Sequence, residues 1–199
     1  MPGVDREKWL ERKQLFLRRI AEDREIGYLD PGVEGVLNAI NSREKSYTTS
    51  SCAGRVTVID AEKPWARDES SVVFKKHSHV TLDEIRVFLE KQPARMFWLQ
   101  ATGPILHIIT YDLEEAALML EAARRSGFKH SGIMSISDKG FLVELVSGAQ
   151  VNVPLRTRST ILVSPEALEE IIIIANKVID ESRERLRRLE EEVRKLEEG

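Results

Sequence analysis

The sequence contains very little cysteine. Cys52 is the single cysteine among 199 residues, which excludes an internal disulfide and any zinc or iron–sulfur site that needs several thiolates. No run of about 18 uninterrupted apolar residues occurs, so no membrane-spanning helix is expected. The N-terminus is dense in charge and lacks the apolar segment of a secretory signal. Together these absences predict a cytoplasmic protein.

The common signatures of nucleotide, hydrolase and zinc chemistry are missing as well. The sequence has no G-x-G-x-x-G, P-loop, G-x-S-x-G or H-E-x-x-H pattern, so it predicts none of the sites that these patterns build. A strong net charge is also lacking. Lysine and arginine number 30 against 33 acidic residues, a net charge of −3, which excludes a uniformly basic nucleic-acid-binding protein.

The composition is that of a soluble globular protein, with 42% hydrophobic and 32% charged residues. Its length suits one domain of ordinary size, with or without an appended helix. Glutamate, lysine and arginine are abundant whereas asparagine and glutamine are few, a balance typical of heat-adapted proteins. We therefore expect a thermophilic source.

Apolar residues change between helical and strand spacing along the chain, which predicts an α+β fold with a mixed β-sheet, packed helices and no Rossmann topology. We expect one domain over 1–199. Its parts are N-terminal helices at 1–45, a mixed α/β body at 46–163 and a long C-terminal helix at 164–199. Strands are predicted at 46–60 with a break at Ala53-Gly54, and at 72–76, 96–100, 104–110, 131–137, 141–146, 151–155 and 161–163.

The C-terminal helix carries an apolar stripe with heptad-like spacing. Its positions are 168, 172, 175, 179, 186, 189, 193 and 196, with a miss at Ser182. We expect the first half of the helix to pack on the body. The second half is expected to pack either on the N-terminal helix or on a second subunit, which makes a homodimer through the terminal helices one of two alternatives.

The segment Thr48–Arg55 is the most distinctive polar stretch. Five side chains with a hydroxyl or thiol precede Ala53 and Gly54, and a glycine lets backbone approach a ligand closely. Arg55 is suited to bind a carboxylate or a phosphate with two hydrogen bonds. From the residues alone, a serine- and threonine-rich strand with an ion-paired arginine is the simpler interpretation.

The histidines leave alternatives open. His77 and His79 would share one face of a strand end, but no third ligand is evident, so no metal site is predicted. His107 lies in an apolar run and is either a buried, hydrogen-bonded histidine or one that handles a proton. Cys52 is expected to pack or to line a ligand. A thiol enzyme is a distant alternative, because Cys52 would need a histidine that the sequence cannot place.

Several short motifs carry a resemblance to a known family, in the same order along the chain. They are Thr49-Ser50-Ser51-Cys52-Ala53-Gly54-Arg55 followed by Asp60, a strand ending in His77, Pro104-Ile105-Leu106-His107, Gly127-Phe128-Lys129-His130-Ser131-Gly132-Ile133, Val153-Pro154-Leu155 and Ala175-Asn176. On these residues the sequence resembles the tRNA wybutosine-synthesising protein 3 (Taw3/TYW3) methyltransferase family, and an archaeal member in particular. The family pattern commonly has a tryptophan at Val72 and an acidic residue and proline at Thr102-Gly103.

The resemblance implies an S-adenosylmethionine-dependent enzyme with a non-Rossmann fold. It implies N4-methylation of the tricyclic wyosine-type base 3′ of the anticodon of tRNA-Phe, a step in the biosynthesis of wybutosine derivatives. His77 and His107 are the implied candidates for a general base, which is needed only if the nitrogen starts protonated. The implied cofactor- or substrate-binding residues are Ser50, Ser51, Cys52, Arg55, Ser131, Gly132 and Asn176. The alternative is a non-catalytic RNA- or nucleotide-binding module or complex subunit.

The net charge is unevenly distributed along the sequence. Residues 41–80 sum to +2 and residues 121–160 to +3, and these two segments hold the serine-cysteine and Gly127–Ile133 motifs. The basic residues there are candidate contacts to RNA phosphates, unless they are scattered solvated charges. They are Lys75, Lys76, Arg124, Arg125, Lys129, Arg156 and Arg158.

Overall fold

A computed structural model describes residues 3–196, which form helices and strands in an α+β arrangement. The residues beyond 196, which were predicted to continue the last helix, lie outside the described residues. The helices are α1 (Arg6–Glu25), α2 (Glu34–Ser42), α3 (Leu82–Glu90), α4 (Leu113–Arg125) and α5 (Pro165–Lys195). The strands are β1 (Ser46–Cys52), β2 (Arg55–Asp60), β3 (Ser71–Lys76), β4 (Met96–Thr102), β5 (Ile105–Thr110), β6 (Gly132–Ser137), β7 (Gly140–Val146) and β8 (Gln150–Thr157).

The chain divides into two compact units, and each holds one four-stranded sheet. Unit 1 contains the described residues up to Ala53, then Pro104–Gly148 and the chain from Ser182 onward. Unit 2 contains Gly54–Gly103 and Ala149–Glu181. The expectation of a single domain over the whole chain stays a prediction.

Unit 1 is built on the sheet β1-β5-β7-β6, in which every pairing is antiparallel. Burial alternates strictly along β5, because successive side chains of a strand point to opposite faces. Helix α4 begins where the carboxylate of Asp112 accepts the backbone N–H of Glu115 at 2.9 Å. The apolar core combines residues of α2, α4, the sheet and the end of α5.

A buried ion pair joins three elements of unit 1. The Arg43 guanidinium, just after α2, donates to both carboxylate oxygens of Glu115 in α4, at 2.6 and 2.8 Å. Ser46, the first residue of β1, donates a further hydrogen bond to the same carboxylate. Burial raises the pKa of Glu115, but the hydrogen bonds from Arg43 and Ser46 outweigh it and hold this pKa below its usual value.

Unit 2 is built on the sheet β3-β2-β4-β8, again antiparallel throughout. Helix α3 begins with a capping box, since the Thr81 hydroxyl accepts the Glu84 N–H and the Glu84 carboxylate accepts the Thr81 N–H. Asp60, part of the family-like pattern, is buried and accepts the backbone N–H groups of residues 94–96 at 2.6 to 3.1 Å. It therefore fixes the turn into β4.

The α+β class and the long C-terminal helix are confirmed, and the strands prove to be antiparallel throughout rather than of mixed direction. The break at Ala53-Gly54 separates β1 in unit 1 from β2 in unit 2. The strand predicted at 161–163 is wrong. Only an isolated bridge links Ile161 to Arg156, because the turn after β8 and the start of α5 at Pro165 leave too few residues for a ladder.

The apolar stripe of α5 is buried along its length. Ser182, the apparent miss in the stripe, is itself fully buried. Leu186, Leu189 and Val193 belong to the core of unit 1, so the second half of the helix packs within its own chain. A homodimer through the terminal helices would have to use other residues and stays a prediction.

Candidate functional site

A bulge in β1 sets the position of Ser50. The Asn41 side chain accepts the Thr48 N–H at 2.9 Å and donates to the Thr48 hydroxyl at 2.8 Å, which anchors the strand. The register with β5 then shifts between Thr48 and Ser50, so one extra residue is inserted. As a result, Ser50 lies directly opposite His107.

Four residues lie opposite one another across all four strands of the unit 1 sheet, and we call them the polar row. Their order is Ser50 on β1, His107 on β5, Glu144 on β7 and Gly132 on β6. The Ser50 Oγ lies 2.7 Å from His107 Nδ1, and His107 Nε2 lies 2.8 Å from Glu144 Oε2. The side chains of His107 and Glu144 are 32% and 27% exposed. His107 is thus a hydrogen-bonded, half-buried histidine with both ring nitrogens engaged.

The Gly127–Ile133 motif shapes the end of the polar row. The Ser131 hydroxyl donates to the Phe128 carbonyl at 2.8 Å and accepts the Val146 N–H at 3.0 Å. Phe128 is fully buried, whereas Lys129 is exposed. A Cβ placed at Gly132 would have no neighbour within 4 Å, so the space beside Glu144 on β6 is open. Ser131 therefore holds the backbone in place through its hydrogen bonds, and Gly132 leaves the space beside Glu144 unfilled.

The serine-cysteine segment is held at its end by the loop before α2. The Asp30 carboxylate accepts the Ala53 N–H at 2.9 Å. Ser51 and Cys52 are half-buried on β1, where they pair with Leu106 and Ile105 of β5. The side chains of this segment thus stand on a strand that is fixed at both ends.

In unit 2, Gly54 precedes Arg55 in the chain and is hydrogen-bonded to His77. Gly54 has φ +96°, a left-handed conformation that favours glycine, and its carbonyl accepts a hydrogen bond from His77 Nδ1 at 3.2 Å. Arg55 follows on an exposed strand end. Its guanidinium has no hydrogen bond or ion pair with the residues that the structure describes, so it is available to an anion.

Asn176 and Asp180 on α5 hold the segment after His77. The Asn176 amide accepts the Val80 N–H and donates to the Val80 carbonyl, both at 2.9 Å. One turn later, Asp180 Oδ1 lies 2.7 Å from His79 Nε2. Asn176 therefore positions the backbone of Val80. The ring of His77 is hydrogen-bonded to the Gly54 carbonyl, whereas the ring of His79 is bound by Asp180.

The candidate phosphate contacts differ in what already holds them. Lys76 pairs with Glu84, and Arg125 pairs with Glu121. Two others donate to backbone carbonyls around the end of α3, Arg156 to Leu89 and Arg158 to Ala94. The remaining three are exposed and have no side-chain partner among residues 3–196. They are Lys75, Arg124 and Lys129.

Sequence reasoning did not find Glu144. It interrupts an apolar run between the buried Val143 and Leu145, and this alternation predicts only that its side chain faces away from the core. Its contact with His107 depends on the pairing of β5 with β7, which no local pattern specifies. Chemically, the polar row can accept and hold a proton, and Arg55 can bind an anion.

Comparison with known proteins decides the family. The model of the family described as "Methyltransferase TYW3" matches residues 11–195. The chain belongs to the TYW3 methyltransferase family. The resemblance carried by the short motifs is thereby confirmed over nearly the whole sequence, and the methyltransferase chemistry of the family requires an activated methyl donor.

Two curated relatives of this TYW3 family member carry a specific name. A protein of Saccharolobus solfataricus is 38% identical over 184 residues, 92% of this chain and 88% of that protein. A protein of Aeropyrum pernix is 41% identical over 178 residues, 89% and 94% of the two chains. Both are named tRNA(Phe) 7-((3-amino-3-carboxypropyl)-4-demethylwyosine(37)-N(4))-methyltransferase. Heat-adapted archaea are thus among the organisms that hold its relatives.

Solved structures share the fold. A protein of Pyrococcus horikoshii has a TM-score of 0.87 and 32% identity, covering 94% of this chain and 97% of its own. A protein of Aeropyrum pernix has a TM-score of 0.77 and 40% identity, covering 85% of this chain and 100% of its own. Within residues 3–196 of this TYW3 protein, none of the helices has the length and apolarity to cross a membrane.

Proposed function

We propose that this TYW3 family member transfers a methyl group from S-adenosylmethionine to the N4 nitrogen of the wyosine-type base next to the anticodon of tRNA(Phe), in the cytoplasm. The observation that carries the proposal is the likeness to relatives with that name, at 38% and 41% identity over about nine tenths of this chain. The polar row and Arg55 supply side chains that suit the reaction.

Methyl transfer of this kind is an in-line displacement, so the enzyme mainly aligns the nitrogen with the methyl carbon and keeps water away. S-adenosylmethionine supplies an electrophilic methyl group on a sulfonium and carries a carboxylate. The exposed guanidinium of Arg55 fits that carboxylate, because a guanidinium binds a carboxylate through two parallel hydrogen bonds. A tRNA phosphate is the other anion that it suits.

The other candidate residues are given supporting roles in this proposal. Ser50 and Cys52 lie on the face of β1 that His107 shares and are assigned to the cofactor or the base, whereas Ser51 pairs with the buried Leu106 on the opposite face of the strand. His77 stays a second candidate base. Ser131 holds backbone within unit 1, and Asn176 holds backbone within unit 2. The base lies in an exposed anticodon loop, where it is unstacked more easily than in a duplex.

Labelled S-adenosylmethionine and undermodified tRNA(Phe) test the proposal. The purified protein is expected to bind the labelled cofactor and to transfer the methyl group to the tRNA. Arg55→Ala is expected to weaken cofactor or tRNA binding by about tenfold or more, the loss of one charge-assisted interaction. Arg187→Ala, a surface arginine paired with Glu184, is the matched control and should bind normally.

The two classes of function give different results. RNA binding without any binding of S-adenosylmethionine contradicts the enzyme and favours the non-catalytic RNA-binding module. If Arg55→Ala binds the cofactor and transfers the methyl group normally, the role given to Arg55 is wrong, but the proposed enzyme activity is not contradicted.

A further inference from the structure

We propose that Ser50, His107 and Glu144 form a proton relay for methyl transfer, with Glu144 as the positioning residue for His107. This inference rests on the proposed function, because it requires a substrate nitrogen that gives up a proton. In this relay Glu144 orients His107, and Ser50 stands at the end that meets the substrate.

The hydrogen bonds of the polar row all run in one direction, from Ser50 through His107 to Glu144. A carboxylate only accepts hydrogen bonds, so the 2.8 Å contact with Glu144 puts the proton of the neutral His107 ring on Nε2. Nδ1 is then an acceptor, and at 2.7 Å it receives the hydroxyl proton of Ser50. The Ser50 oxygen keeps its lone pairs, and Ser50 is exposed. Ser50 is thus set to accept a proton from outside the protein.

Methylation at a ring nitrogen that bears hydrogen releases one proton. The new nitrogen–carbon bond uses the lone pair on nitrogen, and the carbon–sulfur bond breaks with its electrons staying on sulfur. The nitrogen's proton moves to the Ser50 oxygen as the hydroxyl proton of Ser50 moves to His107 Nδ1. The imidazolium so formed is held opposite the Glu144 carboxylate, which balances its charge.

Glu144 does not support the core. Its neighbours Val143 and Leu145 are fully buried on one face of β7, whereas Glu144 lies half-buried on the other face. The adjoining position on β6 is Gly132, which adds no side chain to the row. Replacing the Glu144 carboxylate by an amide of the same size therefore leaves the packing of unit 1 intact.

Glu144→Gln tests the relay in the full-length protein. An amide can either donate to or accept from Nε2, so it no longer fixes the ring proton there. We expect kcat to fall by about 100-fold, within the range of general acid–base effects. The KM for tRNA and the dissociation constant of S-adenosylmethionine should stay near wild-type values. Glu144→Asp should recover part of kcat, and Glu191→Gln, an exposed glutamate of α5, should keep all of it.

Two further readouts separate a relay from a merely structural role. The ¹⁵N spectrum of the His107 ring, assigned with His107→Gln, should show the Nε2–H tautomer in the wild type and a mixture in Glu144→Gln. Ser50→Ala and Glu144→Gln should not be additive in kcat, because members of one relay fail together.

Failure of the relay and failure of the proposed function give different results. A Nδ1–H tautomer in the wild type, full kcat in Glu144→Gln, or additive losses in the double variant overturn the relay and leave the proposed function standing. A wild-type protein that binds tRNA(Phe) but transfers no methyl group overturns the proposed function, and the relay with it.

Discussion

The side-chain amide of Asn176 forms the same pair of hydrogen bonds that a backbone peptide group forms. Its amide pairs with the N–H and the carbonyl of Val80, as a neighbouring strand would, and so ties the segment after His77 to α5. The family-like motif that contains Asn176 thus has a positional function in unit 2. A direct contact with a ligand was expected from the resemblance, and that role stays a prediction.

Asn176→Asp is expected to destabilise the protein. A carboxylate cannot donate, so its oxygen would face the Val80 carbonyl, and an unmet buried hydrogen bond costs about 1–3 kcal/mol. The free energy of unfolding in urea should fall by that amount. Asn152→Asp is the matched control, because Asn152 only accepts from Gln100 in the exposed part of β8 and a carboxylate can replace it. Equal stability of the two variants would contradict this function of Asn176.

Neither the contact of Glu144 with His107 nor the burial of Ser182 could be predicted from the sequence around each residue. The family resemblance named Ser50, His107 and Gly132 as candidates, three of the four residues in the polar row. Glu144 joins them through the pairing of β5 with β7, a long-range register that follows from the whole sheet. Ser182 interrupts the apolar stripe in sequence but is small enough to be buried within it.

Local chemistry determines where several elements begin or break. The N-caps Thr81 and Asp112 and the predicted break at Ala53-Gly54 all depend on residues only a few positions apart. The bulge in β1 does not, because it depends on Asn41 reaching Thr48 from α2. The residues at 161–163 have a composition typical of a strand, but too few of them precede α5 to extend the single bridge between Ile161 and Arg156 into a ladder.

The buried ion pair between α2, β1 and α4 gives an element-scale prediction. Glu115→Gln removes the charge that Arg43 and Ser46 bind, and breaking a buried pair costs about 3–5 kcal/mol. Thermal unfolding near neutral pH should occur at a clearly lower temperature. Glu114→Gln, an exposed neighbour in the same turn, should change little.

The sign of the pH dependence follows from the lowered pKa of Glu115. Its stabilising contribution is complete above the pKa of an unfolded glutamate, about 4.3, and is lost as the pH falls through the lower folded value. The stability difference between wild type and Glu115→Gln should therefore shrink in acid. A constant difference down to acidic pH would contradict the ion pair as its source.

At the scale of the molecule, a net charge of −3 coexists with exposed cations that have no side-chain partner within residues 3–196. Lys75, Arg124 and Lys129 are the candidate phosphate contacts that the described residues leave unpaired. If each contacts a phosphate, replacing all three by alanine should weaken tRNA binding and reduce its logarithmic salt dependence by about three counterions. Arg187→Ala with Arg188→Ala, two arginines paired with Glu184, should leave the slope unchanged. An unchanged slope in the triple variant would mean that these cations are only solvated.

The proposed activity adds one methyl group to the base beside the anticodon. Mass spectrometry of tRNA(Phe) from cells that lack the gene measures it most directly. In these cells the wyosine-type base is expected to lack one methyl group; the intact gene should restore it, whereas a gene encoding Glu144→Gln should restore much less. A fully methylated base in cells without the gene, with no second copy of the enzyme present, would contradict the proposed activity.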